Sequence, residues 1–373
     1  MSLQGRRPPR VLQVVLSLNP GGTERLVLEM VTRLQREISM AVCCLDDEGA
    51  WAGKIKTQGV EIRPLHRASG FRPALGGAIA RAAARHDAQI IHCHHYSPFV
   101  YGCLARLWRR RARVIYTEHG RLSDALPSSK RRLANRLLSR SPHAVFAVSE
   151  DLKQHLVSEG FRPEAVGVIY NGIAVGPVPD AQGRARARQN LGVSDEIIVI
   201  ATIGRLDPVK DLGVLVRALP AVAREMPVML VIIGDGSECR ALEATVATSG
   251  IEHCVRFLGH RDDARALLAG CDVYANSSIS EGVSLTILEA MAARLPIVAT
   301  KVGGTPEVVD ATCGRLVPAR KSGALADALG ELARRPLMRI EMGQAARHRV
   351  EAQFTLDRMV TEYRDVYYGV AEA

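Results

Sequence analysis

Aromatic residues are scarce in this sequence, since Trp, Tyr and Phe together make up 4% of its 373 residues. Proteins that bind single-stranded nucleic acid stack bases on aromatic side chains interleaved with basic ones, and that pattern does not occur here. Long apolar runs are missing as well. The stretches 197–203 and 228–233 have the length of a strand, far below the roughly 20 residues of a membrane-spanning helix. The sequence therefore argues against a nucleic-acid partner and against a membrane-embedded protein.

Paired cysteine motifs are absent too. None of the eight cysteines stands in a C-x-x-C arrangement, and most lie in apolar strand-like runs, as Cys43, Cys93 and Cys271 do. This distribution favours buried thiols in a reducing cytoplasm over disulfides or a zinc site. His92 and His94 alternate at the end of a strand-like run without a companion cluster of carboxylates or cysteines, so we expect them to line a cleft rather than bind a metal. The chain does not open on a secretory signal, and we expect a cytoplasmic protein.

The charge is unevenly distributed along the chain. Residues 1–180 carry 26 Lys and Arg against 15 Asp and Glu, a net of +11, whereas residues 181–373 carry 23 against 24, a net of −1. A basic half favours an anionic partner, and we prefer the inner face of the plasma membrane or an anionic acceptor to a merely solvated surface. The densest basic clusters are Arg106, Arg109, Arg110, Arg111 and Arg113, and Lys130, Arg131, Arg132, Arg136 and Arg140.

Strand-like and helix-like stretches alternate along both halves. Near-continuous runs of β-branched and apolar residues, such as 10–18 and 228–233, are typical of strands buried on both faces of a parallel sheet. Seven such runs precede residue 171 and six follow residue 196, which predicts two α/β domains in series. A length of 373 residues also favours two domains. A segment with Pro and Gly at 176–183 marks the expected boundary, and 354–370 forms a last helix.

Two turns that follow predicted strands are candidates for phosphate binding. In N-P-G-G-T-E at 19–24, paired glycines permit close backbone approach at the start of a helix. In G-R-L-D-P-V-K at 204–210, Arg205 and Lys210 can clamp a diphosphate, the arginine in a bidentate way and the lysine as a point charge. The alternatives are a tight turn and two surface cations. Neither turn has G-x-G-x-x-G spacing, which argues against a nicotinamide-dependent oxidoreductase.

Glu281 and Glu289 lie in the run S-E-G-V-S-L-T-I-L-E-A-M-A, where apolar residues recur at helical spacing after the glycine. Eight residues of helix advance about 12 Å, too far for two carboxylates to flank one glycosidic bond. They are better placed to bind the two ends of an elongated ligand, with a helix N-terminus between them for a diphosphate. The alternative makes Glu281 a first-turn carboxylate and Glu289 a solvated residue.

Taken together, these motifs resemble family four of the retaining nucleotide-sugar glycosyltransferases. The resemblance also includes V-G-G-T-P-E-V-V at 302–309, T-E-H-G at 117–120, A-V-S-E at 147–150 and I-Y-N-G at 169–172. It implies the α/β GT-B architecture, with two Rossmann-like, doubly wound parallel-sheet domains facing across a cleft. The expected parts are an acceptor domain at 1–178, a donor domain at 179–352, and a helix at 353–373 that packs back on the first domain.

The resemblance implies roles for individual residues. Arg205 and Lys210 would hold the donor diphosphate and contribute to catalysis. Glu289 would bind the ribose hydroxyls, and Glu281 would bind the transferred sugar. His119 would lie beside that sugar, either positioning it or acting as a base. The remaining assigned residues are Gly21, Gly22, Gly282, Val283, Ser284 and Leu285 on the donor side, and Asn19, His94 and Tyr96 on the acceptor side.

The implied reaction transfers a sugar from a nucleoside diphosphate sugar, UDP-linked in preference to GDP-linked, to an acceptor hydroxyl with retention. Front-face attack would let the departing phosphate take the acceptor proton, with no carboxylate nucleophile. We expect no cofactor and no metal, since an Asp-x-Asp motif is absent. The basic half favours a lipid-linked or polysaccharide acceptor. The alternatives are an epimerase or phosphorylase of the same architecture, a non-catalytic adaptor, and transfer to a soluble small molecule.

Two positions depart from the usual family pattern. Members often have E-G-F-G-L where this chain has E-G-V-S-L at 281–285, which can alter contacts to the transferred sugar. The variant resembles members that act in bacterial surface-polysaccharide assembly, including exopolysaccharide and lipopolysaccharide. Arg294 stands where members have Gly, and this difference should affect packing only.

Overall fold

The computed structural model describes residues 7–121 and 129–372, and the contacts divide the chain into two compact units. The first takes in the described residues up to Asn171 and from Asp357 onward, and the second is Gly172–Leu356. The contacts divide the chain after Asn171, whereas the division into acceptor and donor domains after residue 178 stays a prediction. The segment that follows Asn171 is already bound to the second unit, where Arg265 donates to the carbonyl oxygens at 174 and 175.

The first unit is built on a seven-stranded parallel sheet. Its strands are β1 (Arg10–Val15), β2 (Ser39–Cys44), β3 (Ile62–Pro64), β4 (Ile90–His94), β5 (Arg113–Glu118), β6 (Ala144–Ala147) and β7 (Val166–Val168). Its helices before residue 171 are α1 (Gly22–Leu34), α2 (Ala52–Lys56), α3 (Ala74–Arg85), α4 (Tyr96–Ala105), α5 (Ser129–Leu138) and α6 (Glu150–Ser158). The strand order is β3-β2-β1-β4-β5-β6-β7.

The second unit is built on a six-stranded parallel sheet. Its strands are β8 (Ile198–Ile203), β9 (Val228–Ile233), β10 (Val255–Phe257), β11 (Val273–Asn276), β12 (Ile297–Thr300) and β13 (Gly314–Val317). Its helices are α7 (Ala181–Leu191), α8 (Leu212–Ala223), α9 (Cys239–Thr248), α10 (Ala264–Leu267), α11 (Leu285–Ala292), α12 (Thr305–Val308), α13 (Ser322–Arg334) and α14 (Pro336–Gln353). The strand order is β10-β9-β8-β11-β12-β13.

Both sheets are doubly wound, and the strand order reverses between β1 and β4 in the first and between β8 and β11 in the second. The central strands are almost entirely buried, and β9 is buried along its whole length, because helices cover both faces of each sheet. In such sheets ligands bind outside the carboxyl ends of the strands at the point of reversal. The predicted site residues lie at or beyond the ends of β1, β4 and β5 in one unit and beyond the ends of β8 and β11 in the other.

The last helix, α15 (Leu356–Glu372), belongs to the first unit beyond Leu356. It buries Tyr363 and Tyr367 beside His92 of β4, with ring centroids 5.4 and 5.6 Å from the imidazole. All eight cysteines are free, and seven are buried, as the sequence predicts. Among the described residues, no helix has both the length and the apolar character that crossing a bilayer requires.

Candidate functional site

In the second unit, Lys210 and Glu281 form a largely buried ion pair close to the carboxyl ends of β8 and β11. Lys210 Nζ donates to Glu281 Oε1 at 2.6 Å, and the two side chains are 20% and 10% exposed. The same oxygen accepts from Asn276 Nδ2 at 3.2 Å and from Ser278 Oγ at 2.7 Å. Burial raises the pKa of Glu281, but the charge of Lys210 and the three hydrogen bonds outweigh it, so the pKa lies below its usual value. Glu281 is therefore an ionised hydrogen-bond acceptor, held by residues from both strand ends.

Arg205 extends from the end of β8 into solvent. Its side chain is 73% exposed and meets Asp207 Oδ2 at 3.2 Å. The backbone beneath it is tightly packed, because a Cβ on Gly234 would lie 1.8 Å from the carbonyl oxygen of Gly204. The G-D-G sequence at 234–236 is thus more than a tight turn, since it lets the ends of β8 and β9 approach each other. Gly204, Arg205 and Lys210 line one pocket of the unit.

The loop 281–284 leads directly into α11, whose first residue is Leu285. The first N–H groups of a helix have no partner within the helix and carry the positive end of its dipole, which suits an anionic group. Val283 is buried and Ser284 partly buried, so the backbone of this loop is held firmly. Four residues into the helix, Glu289 is 4% exposed and faces a cavity of about 900 Å³. The reading of Glu289 as a solvated residue is therefore wrong.

The backbone of Gly303 packs against the backbone of the loop that carries Glu281. Its φ is +50°, and a Cβ at this position would lie 1.9 Å from the carbonyl oxygen of Glu281. The next residue, Gly304, donates its backbone N–H to the same oxygen at 3.2 Å. The V-G-G-T-P sequence therefore cradles the backbone of a site residue. Sequence reasoning used it only as a family marker, although paired glycines after a predicted strand could have indicated a close backbone contact.

The position after α11 explains one departure from the family pattern. Arg294 adopts φ +62°, the left-handed conformation that glycine favours at a helix C-terminus. Its carbonyl oxygen would lie 2.0 Å from a Cβ on Gly343 of α14, so the conformation is fixed by packing against that helix. The arginine accepts a backbone strain that the family glycine avoids. This is a packing effect, as the sequence predicts.

In the first unit, the turn after β1 is stabilised by its own side chains. Asn19 Oδ1 accepts from the N–H of Ala50 at 3.1 Å, and Asn19 Nδ2 donates to Ser17 Oγ at 3.1 Å. Gly22 begins α1 and is exposed. Thr23 Oγ1 lies 2.9 Å from His95 Nε2, which connects this turn to the end of β4. The assignments of Asn19 and the two glycines to substrate binding stay predictions.

His95 is a residue of this region that sequence reasoning missed. It has φ +73° and ψ 164°, a backbone conformation that costs about 1 to 3 kcal/mol for a residue with a side chain. Its Nδ1 lies 2.9 Å from Glu118 Oε1, and Glu118 also accepts from Tyr116 and from the N–H of His119. Burial lowers the pKa of His95, but the hydrogen bond and charge of Glu118 raise it overall. The T-E-H-G motif therefore places a buried carboxylate that fixes both histidines.

Three further histidines, His92, His94 and His119, form what we call the histidine cluster. His92 and His94 are fully buried, so the expectation that they line a cleft is wrong. His94 Nδ1 lies 2.9 Å from His119 Nε2, and His119 is partly buried. Burial lowers the pKa of all three, that of His92 to about 3, so each is neutral at neutral pH. The part of the chain that the structure describes holds no group of three His, Cys, Asp or Glu side chains arranged to bind a metal.

Tyr96, at the start of α4, has its hydroxyl group already engaged. It donates to Asn135 Oδ1 at 2.6 Å, and the guanidinium group of Arg131 lies 4.5 Å above the ring. These contacts connect α4 to α5. Its assignment to the acceptor side stays a prediction.

Family models match both units of the chain. The model described as Glycosyltransferase Family 4 matches residues 20–176, and the one described as Glycosyl transferases group 1 matches residues 197–335. The GDP-mannose-dependent alpha-(1-6)-phosphatidylinositol monomannoside mannosyltransferase of Mycolicibacterium smegmatis is 30% identical over 294 residues, covering 74% of this chain and 75% of the relative. The chain belongs to glycosyltransferase family 4. This confirms the resemblance drawn from the motifs.

Two further proteins are similar along most of the chain. The N-acetyl-alpha-D-glucosaminyl L-malate synthase of Bacillus anthracis is 29% identical over 303 residues, covering 80% of this chain and 79% of the relative. The crystal structure of Anabaena HepE in complex with UDP and glucose has a TM-score of 0.85 and 25% identity, covering 96% of this chain and 99% of HepE. The architecture is therefore GT-B, and the family membership makes this chain a glycosyltransferase that uses nucleotide sugars.

Proposed function

We propose that this glycosyltransferase moves a sugar from a UDP-sugar, or secondarily a GDP-sugar, to an acceptor hydroxyl with retention of configuration. The observation that carries the proposal is the grouping of Arg205, Lys210, Glu281 and the start of α11 at the strand-order reversal of the second unit. Two cations and a helix N-terminus provide the charge that a diphosphate requires. The complex of HepE with UDP and glucose supports the same ligand class.

In this proposal the residues of the second unit stabilise the leaving diphosphate. Lys210 and Arg205 neutralise the charge that develops as the bond to the sugar breaks, an electrostatic effect of the oxyanion-hole kind. Glu281 accepts hydrogen bonds from sugar hydroxyls rather than attacking the anomeric carbon, because three donors already hold its Oε1. Attack then occurs on the face from which the phosphate departs. That phosphate takes the acceptor proton, and no metal is needed.

The first experiment screens donors and follows the product. Thermal shift with UDP, GDP and ADP identifies the base, and NMR of the product from the matching sugar donor reports the anomeric configuration. We expect UDP to stabilise most, the product to keep the donor configuration, and activity to survive EDTA. Inversion, loss of activity in EDTA, or a free epimerised sugar would overturn the corresponding part of the proposal. A free epimerised sugar would favour the epimerase alternative, and turnover that depends on inorganic phosphate would favour a phosphorylase.

Glu289 is assigned to the ribose. It is buried in α11, the helix that begins just after Glu281, and the cavity of about 900 Å³ beside it includes neither Arg205 nor Lys210. Glu289→Gln should raise the KM of the donor more than it lowers kcat, because ribose contacts are similar in the ground and transition states. A fall in kcat with KM unchanged would instead place this residue near the reacting sugar.

For the acceptor we propose a lipid-linked or polysaccharide hydroxyl at an acidic membrane surface. On α5, Leu133 and Leu137 are each 61% exposed and lie one helical turn apart, among basic side chains. These basic neighbours are Lys130, Arg132, Arg136 and Arg140. Exposed leucines within a basic helical face suit the interface of an anionic bilayer. Arg109 suits it less, since its guanidinium group is bound to Asp87 and to the carbonyl oxygen of residue 88.

A vesicle experiment tests this surface. Replacing Arg132 and Arg136 by Ser should weaken binding to vesicles containing phosphatidylserine by roughly 30-fold, since each charge near such a surface is worth about 1 kcal/mol. The effect should fade as salt rises. The control replaces Arg217 and Arg240, two exposed arginines of the second unit, and should leave binding unchanged. Equal losses in both variants would show that net charge alone matters.

A soluble small-molecule acceptor is the second candidate. The relative from Bacillus anthracis is named as a synthase of a malate glycoside, so the family includes transfer to a small anion. A protein that binds no acidic vesicle at low salt, yet hydrolyses or transfers from its donor, would favour this alternative.

A further inference from the structure

Four side chains of the first unit form a continuous chain of hydrogen bonds that ends at His119. Gln13 Nε2 of β1 donates to the hydroxyl oxygen of Tyr367 on α15 at 3.0 Å. Gln13 Oε1 lies 2.8 Å from His94 Nε2, and His94 Nδ1 lies 2.9 Å from His119 Nε2. Gln13, His94 and Tyr367 are fully buried. The chain therefore connects the last helix to a residue beside the predicted transferred sugar.

The chemistry of these groups determines where the protons lie. An amide oxygen only accepts, so His94 Nε2 must carry a proton. Because burial keeps His94 neutral, its Nδ1 has a lone pair and accepts from His119 Nε2–H. His119 is neutral for the same reason, so its own Nδ1 carries a lone pair. That nitrogen is buried and has no hydrogen-bond partner within the described residues.

If the oxygen and nitrogen of the Gln13 side-chain amide were exchanged, the donor and acceptor of every hydrogen bond from Tyr367 to His119 would be reversed. That arrangement is less favourable. His119 Nδ1 would then be a buried N–H without a partner, which is rarer in proteins than an unpaired acceptor. The contacts of Tyr367 agree with the first arrangement. Its oxygen lies 2.7 Å from His92 Nδ1, so its proton can be donated to that nitrogen while its lone pairs accept from Gln13.

We propose that Gln13 and Tyr367 are positioning residues that act through His94 to fix His119 as a neutral acceptor with its lone pair at Nδ1. An acceptor at this atom takes a hydrogen bond from a hydroxyl group and repels a phosphate oxygen. The substrate group suited to this nitrogen is therefore a hydroxyl of the donor sugar or of the acceptor, which reaches it once the bound substrate has displaced the side chains that bury the nitrogen in the ligand-free protein. This inference rests on the proposed function for the identity of the substrate, but the protonation pattern itself does not.

The first test measures the protonation pattern directly. In protein labelled with ¹⁵N-histidine, long-range ¹H–¹⁵N correlation spectra distinguish protonated from unprotonated ring nitrogens. We expect His119 to be protonated at Nε2 and unprotonated at Nδ1 in the parent protein without ligands. A proton on Nδ1 would overturn the proposal whether or not the protein transfers any sugar.

The second test compares two conservative changes on the same helix. Tyr367→Phe removes the hydroxyl that orients Gln13, whereas Tyr363→Phe removes one that lies 3.2 Å from Thr117 and is separated from Tyr367 by Thr117 and His92. Tyr367→Phe should give a mixture of His119 tautomers and lower kcat about tenfold, with the Kd of UDP unchanged. Tyr363→Phe should keep both the spectrum and kcat of the parent. Equal kcat values in the two variants would refute the positioning role.

A third measurement identifies the source of the hydroxyl. Donor sugars that lack one hydroxyl group, and acceptor analogues with one hydroxyl removed, are compared in the parent and in Tyr367→Phe. The analogue that lacks the relevant hydroxyl should react at similar rates in both proteins, because the contact is already lost. If the parent binds no nucleotide and transfers no sugar, the proposed function is wrong. The NMR spectra would still determine which ring nitrogen of His119 carries the proton.

Discussion

Replacing Glu281 by Gln should tighten the binding of a nucleoside diphosphate and slow sugar transfer. Lys210 Nζ lies 2.6 Å from Glu281 Oε1, so each charge neutralises the other when no donor is bound. Glutamine keeps the size and one acceptor oxygen but removes the negative charge. The lysine cation, which is only 20% exposed, then lacks a counterion that a diphosphate can supply.

The size of the effect follows from the geometry of the pair. A hydrogen bond to a charged group contributes about 1.5 to 3 kcal/mol, and each 1.4 kcal/mol changes an equilibrium constant tenfold. The Kd of UDP should therefore fall by roughly 10- to 100-fold in Glu281→Gln. The value of kcat should fall at the same time, because the neutral amide accepts more weakly from sugar hydroxyls in the transition state.

Isothermal titration with UDP measures this change, and Asp207→Asn is the matched control. Asp207 pairs with Arg205 at 3.2 Å, but that arginine is exposed, so solvent screens the pair and UDP binding should change less than about fivefold. Unfolding curves establish that both variants are folded. If folded Glu281→Gln binds UDP no more tightly than the parent, Lys210 does not meet the diphosphate.

Three other outcomes follow from the same structure. Lys210→Ala should weaken UDP binding and lower the free energy of unfolding by about 3 kcal/mol, because it leaves a buried carboxylate without its counterion. Arg205→Ala should also weaken UDP binding but lower the free energy of unfolding by less than about 1 kcal/mol, and urea titrations of both variants measure this difference. Gly303→Ala should lower both stability and kcat/KM, since its Cβ would meet the carbonyl oxygen of Glu281; thermal melts and kinetics that match the parent would show that Gly303 does not support the Glu281 loop. The free energy of unfolding should fall as the pH drops from about 7 to 5. Below the ordinary pKa of 6.5 the unfolded chain binds protons at the three residues of the histidine cluster, whereas the folded protein keeps them neutral because their pKa values are lowered. Each histidine then lowers the free energy of unfolding by about 1.4 kcal/mol per pH unit. The raised pKa of His95 opposes this trend, and a flat profile between these pH values in denaturant titrations would contradict neutral burial of the cluster.

The sheets were predictable because their strands are buried on both faces. The seven apolar runs before residue 171 and the six after residue 196 correspond to the seven and six strands of the two sheets, since long apolar runs such as 228–233 leave few alternatives. Strand ends were also informative, because polar residues that follow buried strands gather at one edge of a parallel sheet. This is how Arg205 and Lys210 could be singled out before their positions were known.

The interior polar contacts could not be predicted in this way. Periodicity identifies which residues are buried, but it does not pair Gln13 with Tyr367 across 354 positions. The same limit explains why His94 was assigned to a cleft, since a histidine at a strand end suits a surface as well as a network. The strained backbone of His95 left no mark in the sequence either, because nothing but tertiary contacts holds that conformation.

The return of the last helix to the first unit reverses the order in which the two units can mature during synthesis. The second unit is continuous, so its sheet can close as soon as Leu356 has left the ribosome. The first unit has all its strands by residue 168, but Gln13 and His92 lack their hydroxyl partner until the 17 residues of α15 are made. The amino-terminal unit is thus the last to be completed. Truncating the carboxyl end by those 17 residues should damage the sheet that was synthesised first.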